Sequence, residues 1–89
     1  MPTVSFTNNL KRHLACPQVT ASGDTVRQVL NGVIRQNPNL EGYILDDQGR
    51  LRQHMNIFVD GVMIQDRDQL SDAVTPNSEL YVLQALSGG

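Results

Sequence analysis

The chain has 89 residues, which is enough for a single domain and leaves no room for a second hydrophobic core. Hydrophobic residues make up 39% of the sequence and aromatic residues 4%, so the core must be built mainly from valine, leucine and isoleucine. Seven basic against nine acidic residues give a net charge of −2, which excludes the basic surface typical of nucleic-acid-binding and membrane-surface proteins.

The sequence also indicates the cellular compartment of the protein. No apolar stretch approaches the roughly 20 residues that a membrane-spanning helix needs, and Met1-Pro2-Thr3 begins no signal-peptide pattern. Cys16 is the single cysteine, so an internal disulfide and a cysteine-based metal cluster are both excluded. We therefore expect a cytoplasmic protein with neither a membrane nor a nucleic acid as its partner.

Two strands and a helix are predicted in the first half of the chain. Residues 3–7 alternate polar and apolar side chains, the period of a half-buried strand, and residues 18–21 form a second strand that pairs with the first as a hairpin. Asp24 is the predicted N-cap of the helix, because its carboxylate can accept hydrogen bonds from the first-turn amides. Pro38 ends the helix. The apolar side of this helix consists of Val26, Val29, Leu30, Val33 and Ile34.

The second half of the chain predicts further strands and one irregular segment. Residues 39–53 contain a short helical turn followed by a chain reversal. Asp60-Gly61 predicts a two-residue turn in a hairpin over 56–64, and the last strand covers 80–85. Together the elements predict an α+β domain, in which one main helix packs on one face of a mixed sheet of four to five strands.

The hairpin register predicts which side chains face the helix. A two-residue turn places Val59 opposite Val62, so the helix-facing side of the hairpin consists of Ile57, Val59, Val62 and Ile64. The same alternation turns four apolar side chains to the other face, and we call them the outer patch: Phe58, Met63, Tyr81 and Leu83. The exposed face of an antiparallel sheet is usually polar, so the outer patch predicts a partner-docking site. The alternative is that residues 39–53 fold over part of the outer patch, and Phe58 is then the member expected to be covered.

The sequence ends in Leu86-Ser87-Gly88-Gly89. Glycine lacks a Cβ atom and can pass through a narrow slot, and the carboxylate of a terminal glycine is unhindered. We expect a domain over residues 1–85 and a flexible tail over residues 86–89. The alternative interpretation is a frayed terminus without a role.

Five segments, in their order along the chain, resemble the ubiquitin-like β-grasp sulfur carriers. They are Val4-Ser5-Phe6, Asp24-Thr25-Val26, Asn56-Ile57-Phe58-Val59-Asp60-Gly61, Glu79-Leu80-Tyr81-Val82-Leu83 and Gly88-Gly89. These carriers include the small subunit of molybdopterin synthase, the thiamine-pathway carrier and the carrier that supplies sulfide to cysteine synthesis. Residues 49–57 and 85–89 look most like the cysteine-synthesis type, while molybdopterin and thiamine synthesis stay open. The resemblance implies a ubiquitin-like β-grasp fold.

The resemblance also implies a chemistry for the tail. An E1-like adenylyltransferase would use ATP to adenylate the Gly89 carboxylate, and a sulfur donor would convert the adenylate into a thiocarboxylate. Gly88, Ser87 and Leu86 would enter the partner's active site while the outer patch docks the body. The thiocarboxylate would then give its sulfur to a second partner, a biosynthetic enzyme. On this interpretation the chain is a carrier and not an enzyme, and it binds no cofactor and no metal.

Three other interpretations stay open. In the first, the protein is a ubiquitin-like modifier whose Gly89 becomes joined to lysines of target proteins. The chain itself has a single lysine, Lys11. In the second, it is a non-covalent adaptor whose glycines are incidental. In the third, Cys16 and His13 form a nucleophilic pair, which would need a pocket and an orienting group that the sequence does not indicate. His54 is interpreted as a surface residue, and the acidic residues between 60 and 72 as a solvated loop or a site for a basic partner.

Overall fold

A computed structural model describes residues 1–6 and 18–84. The predicted tail residues Leu86–Gly89, the predicted boundary of the tail at residue 85, and residues Lys11, His13 and Cys16 lie outside the described residues. The elements are β1 Thr3–Phe6, β2 Gln18–Thr20, α1 Val26–Gln36, a 3₁₀ turn Pro38–Leu40, α2 Glu41–Ile44, β3 Met55–Val59, β4 Val62–Met63 and β5 Glu79–Gln84.

The strands form one mixed, five-stranded sheet in the order β2-β1-β5-β3-β4. β5 lies at the centre, parallel to β1 and antiparallel to β3. β2 and β4 form the two edges of the sheet. β2 pairs antiparallel with β1, and β4 pairs antiparallel with β3. This arrangement confirms the predicted mixed sheet with a main helix, and it has the strand order of a β-grasp domain.

Helix α1 begins one residue later than the sequence predicts. Thr25, and not Asp24, is the N-cap: its backbone is extended at φ −132° and ψ 162°, and its hydroxyl accepts a hydrogen bond from the Gln28 amide. Thr25 also bridges to Ala73 on the neighbouring loop, which holds the chain extended up to this residue. Asp24 therefore lies just outside the helix, where its own amide donates to Gln28 Oε1 at 2.6 Å.

The core is aliphatic and lies between α1 and one face of the sheet. The four fully buried residues of α1 are those that the helical spacing predicts: Val26, Val29, Leu30 and Val33. Ile34 packs against their edge. The sheet contributes Val4, Phe6, Ile57, Leu80 and Val82, and the segments between elements add Leu40, Ile44, Leu45, Leu51, Leu70 and Val74. Residues 39–53 thus complete the core.

The β3–β4 hairpin has the predicted turn, with Asp60 at φ 51° and Gly61 at φ 85°. Val59 pairs with Val62 and Phe58 with Met63, as the two-residue turn requires. The prediction that Val62 joins the core is wrong, because its side chain is 67% exposed. β4 is an edge strand of two residues next to the turn, and none of the described elements covers Val62 there. Ile57 and Ile64 are buried as predicted.

We expect the substitution Leu30→Ala to cost about 2–5 kcal/mol of unfolding free energy, because it removes buried methyl groups and leaves a cavity beneath the sheet. Val62→Ala, which removes methyl groups from an exposed position, should change the unfolding free energy by less than about 0.5 kcal/mol. Urea denaturation followed by circular dichroism measures both. Equal losses in the two variants would contradict the placement of Val62 outside the core.

Candidate functional site

The outer patch lies on the face of the sheet opposite α1, and three of its four members belong to a row of paired residues that crosses all five strands. Ser5 pairs with Gln18 on one side and with Tyr81 on the other, Tyr81 with Phe58, and Phe58 with Met63. The polar end of the row is closed by a hydrogen bond from Gln18 Nε2 to Ser5 Oγ at 3.2 Å. The row is therefore polar towards β2 and apolar towards β4.

The members of the outer patch differ in exposure. Met63 is 48% and Tyr81 44% exposed, whereas Phe58 and Leu83 are partly buried. Leu83 lies two residues beyond Tyr81 on β5, about 7 Å further along the strand. Because β5 is the central strand, the patch occupies the middle of the face and extends towards the end at which the chain leaves the sheet. Its role in docking stays a prediction.

The tail begins at a fixed point on the sheet. Gln84, the last residue of β5, pairs with Met55, the first residue of β3. Residues 85–89 follow and span at most about 17 Å when fully extended. A docked partner could therefore receive Gly89 only within that radius of Gln84.

Arg67 connects the loop after β4 to the end of the sheet where the tail begins. Its guanidinium donates to Asn56 Oδ1 at 2.9 Å, to the Met55 carbonyl at 2.8 Å and to the Arg52 carbonyl at 2.7 Å. Asn56 lies opposite Leu83 on β5. The carbonyls of the turn that leads into β3 are thereby paired, and the turn is held next to the last residues of β5.

Three arginines and His54 line a groove of about 550 Å³ beside this turn. Arg50 pairs with Asp46, with 3.4 Å between Nε and Oδ2. A backbone hydrogen bond from the Arg50 amide lowers the pKa of Asp46, and a further one from Gln48 and the Arg50 charge act in the same direction. The sequence pattern did not predict a site at this cluster. The available signal was the run from Arg50 to His54, which holds two arginines and no carboxylate.

The acidic residues between 60 and 72 mostly bind backbone amides of their own loops. Asp66 accepts hydrogen bonds from the amides of Asp68, Gln69 and Ser71 and from the Ser71 hydroxyl. The Ser71 hydroxyl and the Gln69 amide lower the pKa of Asp66 to about 2.

Two further carboxylates of this stretch act in the same way. Asp72 accepts from the amides of Gln65 and Asp66, and Asp60 accepts from the Glu79 amide at 2.9 Å. These carboxylates stabilise turns, which supports the solvated-loop interpretation of the stretch over a site for a basic partner. Within residues 1–6 and 18–84, no group of three or more histidine, cysteine or acidic side chains is placed to hold a metal ion.

Comparison with known protein families identifies the chain. Residues 8–89 match the profile of the ThiS family. The chain belongs to the ThiS family. This family match, together with the β-grasp strand order, confirms the predicted kinship with ubiquitin-like sulfur carriers. Sequence comparison with curated proteins finds no significant match.

Solved structures of the same fold include carriers and modifiers. A chain of the BexX/CysO complex from Amycolatopsis orientalis matches with a TM-score of 0.88 and 23% identity, covering 100% of both chains. CysO from Mycobacterium tuberculosis matches with a TM-score of 0.84 and 25% identity, covering 97% of this chain and 100% of that one. The small archaeal modifier SAMP1 from Haloferax volcanii matches with a TM-score of 0.81 and 25% identity, covering 99% and 98%. These matches confirm the ubiquitin-like β-grasp fold.

The likeness to these small proteins agrees with a carrier or modifier and not with an enzyme. None of the helices described within residues 1–6 and 18–84 has the length and apolar character needed to cross a bilayer.

We expect Asp66→Asn to destabilise the protein at neutral pH and to have a smaller effect in acid. The folded-state pKa of Asp66 is about 2 against an ordinary value of 3.8. Its carboxylate therefore contributes stability that is complete above pH 3.8 and is lost as the pH falls towards 2. The urea midpoints of wild type and variant should differ most near neutrality and converge in that window.

Asp47→Asn is the matched control for Asp66→Asn. It removes an equal charge from an exposed residue for which no hydrogen bond within residues 1–6 and 18–84 is recorded. The control should leave the urea midpoint close to that of wild type at each pH. A constant difference between wild type and Asp66→Asn down to pH 2 would contradict the assigned pKa.

Proposed function

We propose that the protein is a sulfur carrier whose working group is the carboxylate of Gly89. The observation that carries the proposal is the combination of ThiS-family membership with an exposed apolar patch on the strand from which the diglycine tail continues. The body docks through the outer patch, and the tail delivers Gly89 to an active site on the partner. Leu86, Ser87 and Gly88 pass through the entry channel of that site.

The proposed chemistry has three balanced steps. The Gly89 carboxylate attacks the α-phosphate of ATP on an E1-like adenylyltransferase, and pyrophosphate leaves. A hydrosulfide equivalent from a sulfur donor attacks the acyl carbon, so that AMP leaves and a thiocarboxylate and a proton remain. The thiocarboxylate sulfur then forms a bond to an electrophilic carbon of the acceptor enzyme's substrate, either by adding across a double bond, with a proton taken up at the neighbouring atom, or by displacing a leaving group. Hydrolysis of the resulting thioester releases the product thiol and restores the carboxylate. The chain itself needs no bound cofactor for these steps.

The acceptor in this proposal is a biosynthetic enzyme of the cysteine-synthesis type. The support is the likeness of residues 49–57 and 85–89 to that type of carrier and the 25% identity to Mycobacterium tuberculosis CysO over nearly the whole chain. A molybdopterin or thiamine enzyme is the alternative acceptor within the same chemistry. We place this function in the cytoplasm, where a single unpaired cysteine remains reduced.

A second candidate function is protein modification, in which Gly89 forms an isopeptide bond with a target lysine. The likeness to SAMP1 from Haloferax volcanii supports it. Both functions begin with the same adenylation, so the two are separated by the fate of the tail. Chemical labelling of thiocarboxylates in cell extract should yield the unconjugated carrier. A blot that shows only adducts of higher mass, with no labelled carrier, would favour the modifier.

We expect Gly88→Leu to abolish thiocarboxylate formation without unfolding the body, because the side chain blocks the channel that admits the tail. Intact-mass measurement after incubation with the activating enzyme, ATP and a sulfur donor should show oxygen replaced by sulfur in wild type alone. Asn31→Leu is the control, since it adds the same side chain at an exposed position of α1, on the other face of the sheet from the outer patch. Full conversion of Gly88→Leu would contradict the channel.

The outer patch is tested by two neighbouring residues that point to opposite faces of β4. Met63→Asp places a charge in the patch and should lower kcat/KM for adenylation by about tenfold or more, by analogy with a buried anchor in an interface. Val62→Asp adds the same charge at an even more exposed position on the other face and should leave kcat/KM near that of wild type. Pyrophosphate exchange measures both, and equal effects would argue against docking through this face.

A further inference from the structure

Arg52 is the arginine at the tail end of the sheet whose terminal nitrogens are available to a partner. Its Nε donates to the Gly42 carbonyl at 2.7 Å, and within residues 1–6 and 18–84 its two Nη atoms have no recorded hydrogen-bond partner. Arg67, by contrast, uses its Nη atoms on three acceptors, and Arg50 is paired with Asp46. The bond to Gly42 fixes the base of the Arg52 guanidinium, and Arg52 is one of the residues that line the groove.

The backbone of Arg52 lies one tight turn away from the strand position after which the tail begins. The Arg52 carbonyl accepts from the Met55 amide at 3.0 Å, so the two residues form the ends of one tight turn. Met55 in turn lies opposite Gln84, the last residue of β5. Arg52 is thus one turn and one strand spacing away from the residue after which the tail begins, well inside the reach of a partner that holds the tail.

The local charge differs from that of the whole protein. The chain carries a net charge of −2, which opposes approach to an acidic partner. At this groove, three arginines face two carboxylates, and one of those carboxylates, Asp46, is held by Arg50. Arg52 and Arg67 have no ion-pair partner among residues 1–6 and 18–84, and of the two it is Arg52 whose Nη atoms make no hydrogen bond there; the exposed His54 lines the same groove. A guanidinium with two parallel N–H groups free is suited to a carboxylate, which it can bind through both oxygens.

We propose that Arg52 is the centre of a cationic edge that binds carboxylates at the mouth of the tail-receiving site on the activating enzyme. The inference rests on the proposed function, because it takes the adenylation of Gly89 as the event that brings the two proteins together. We assign these carboxylates to the activating enzyme, because both the carrier and the modifier functions begin with adenylation on that enzyme. The outer patch supplies apolar contact area, and Arg52 supplies orientation at the point where the tail enters.

Charge reversal at Arg52 tests this proposal. Arg52→Glu should lower kcat/KM for pyrophosphate exchange by about tenfold at low ionic strength, because a cation at the interface rim becomes a repelling anion. The loss should shrink between about 0.01 M and about 0.15 M ionic strength, over which the Debye length falls from about 30 Å to about 8 Å. Arg35→Glu is the matched control, since Arg35 is an exposed residue in the last turn of α1.

Arg52→Lys separates charge from packing. It keeps the positive charge and loses the planar donor pair, so kcat/KM should fall to a value between those of wild type and Arg52→Glu, because the attraction remains while the contact with both carboxylate oxygens is lost. Circular dichroism and thermal unfolding confirm that each variant is folded. A loss in Arg52→Lys as large as in Arg52→Glu would overturn the proposal in favour of a purely structural role.

The remaining outcomes also decide between the proposals. Equal losses in Arg52→Glu and Arg35→Glu, or no loss in either variant, would overturn the cationic edge while leaving the carrier function intact. If wild-type protein itself supports no pyrophosphate exchange with its activating enzyme, the proposed function fails, and the cationic edge fails with it. The wild-type reaction therefore distinguishes the two failures.

Discussion

The structure depends on the parallel pairing of the first strand with the last. β1 and β5 meet at the centre of the sheet, although most of the chain separates them, and β3 pairs with the other side of β5. Leu80 and Val82 on β5 are buried beneath α1. The final strand is thereby firmly held, with partners on both sides and apolar contacts on its inner face. A tail that continues from it starts from a rigid point, which suits its delivery into another protein's active site.

Arginine side chains connect elements that a larger hydrophobic core would otherwise hold together. The Arg27 guanidinium on α1 donates to the carbonyls of Gly49, Asp68 and Gln69, and so connects the helix to two loops. Arg67 connects the second of these loops to the turn before β3. In a chain of this size, such hydrogen bonds satisfy loop carbonyls that the aliphatic core cannot cover. Arg52 differs from these two arginines, because its Nη atoms have no hydrogen-bond partner in the part of the chain that the structure describes.

The two surfaces near the tail would divide the task of recognition. An apolar patch in the middle of a sheet face provides contact area, and it is equally attractive to any partner with a matching apolar surface. Charged groups at the rim add orientation and discriminate between partners, because a wrong pairing of charges is costly. A carrier that must visit an activating enzyme and then an acceptor benefits from such a division, since each partner can read a different part of the same face.

The sequence by itself determined the elements whose signals are local. The period of α1, the stop at Pro38, the turn at Asp60-Gly61 and the alternation that separates Phe58 from Ile57 all follow from backbone geometry within a few residues. Tertiary structure decided what depends on distant neighbours. Thr25 replaces Asp24 as the cap because Ala73 bridges to it, and Val62 stays exposed because its edge strand lacks a cover. The carbonyl partners of Arg67 are likewise fixed by loop packing, which no local pattern encodes, because hydrogen bonds across the fold form only once the chain has brought those residues together.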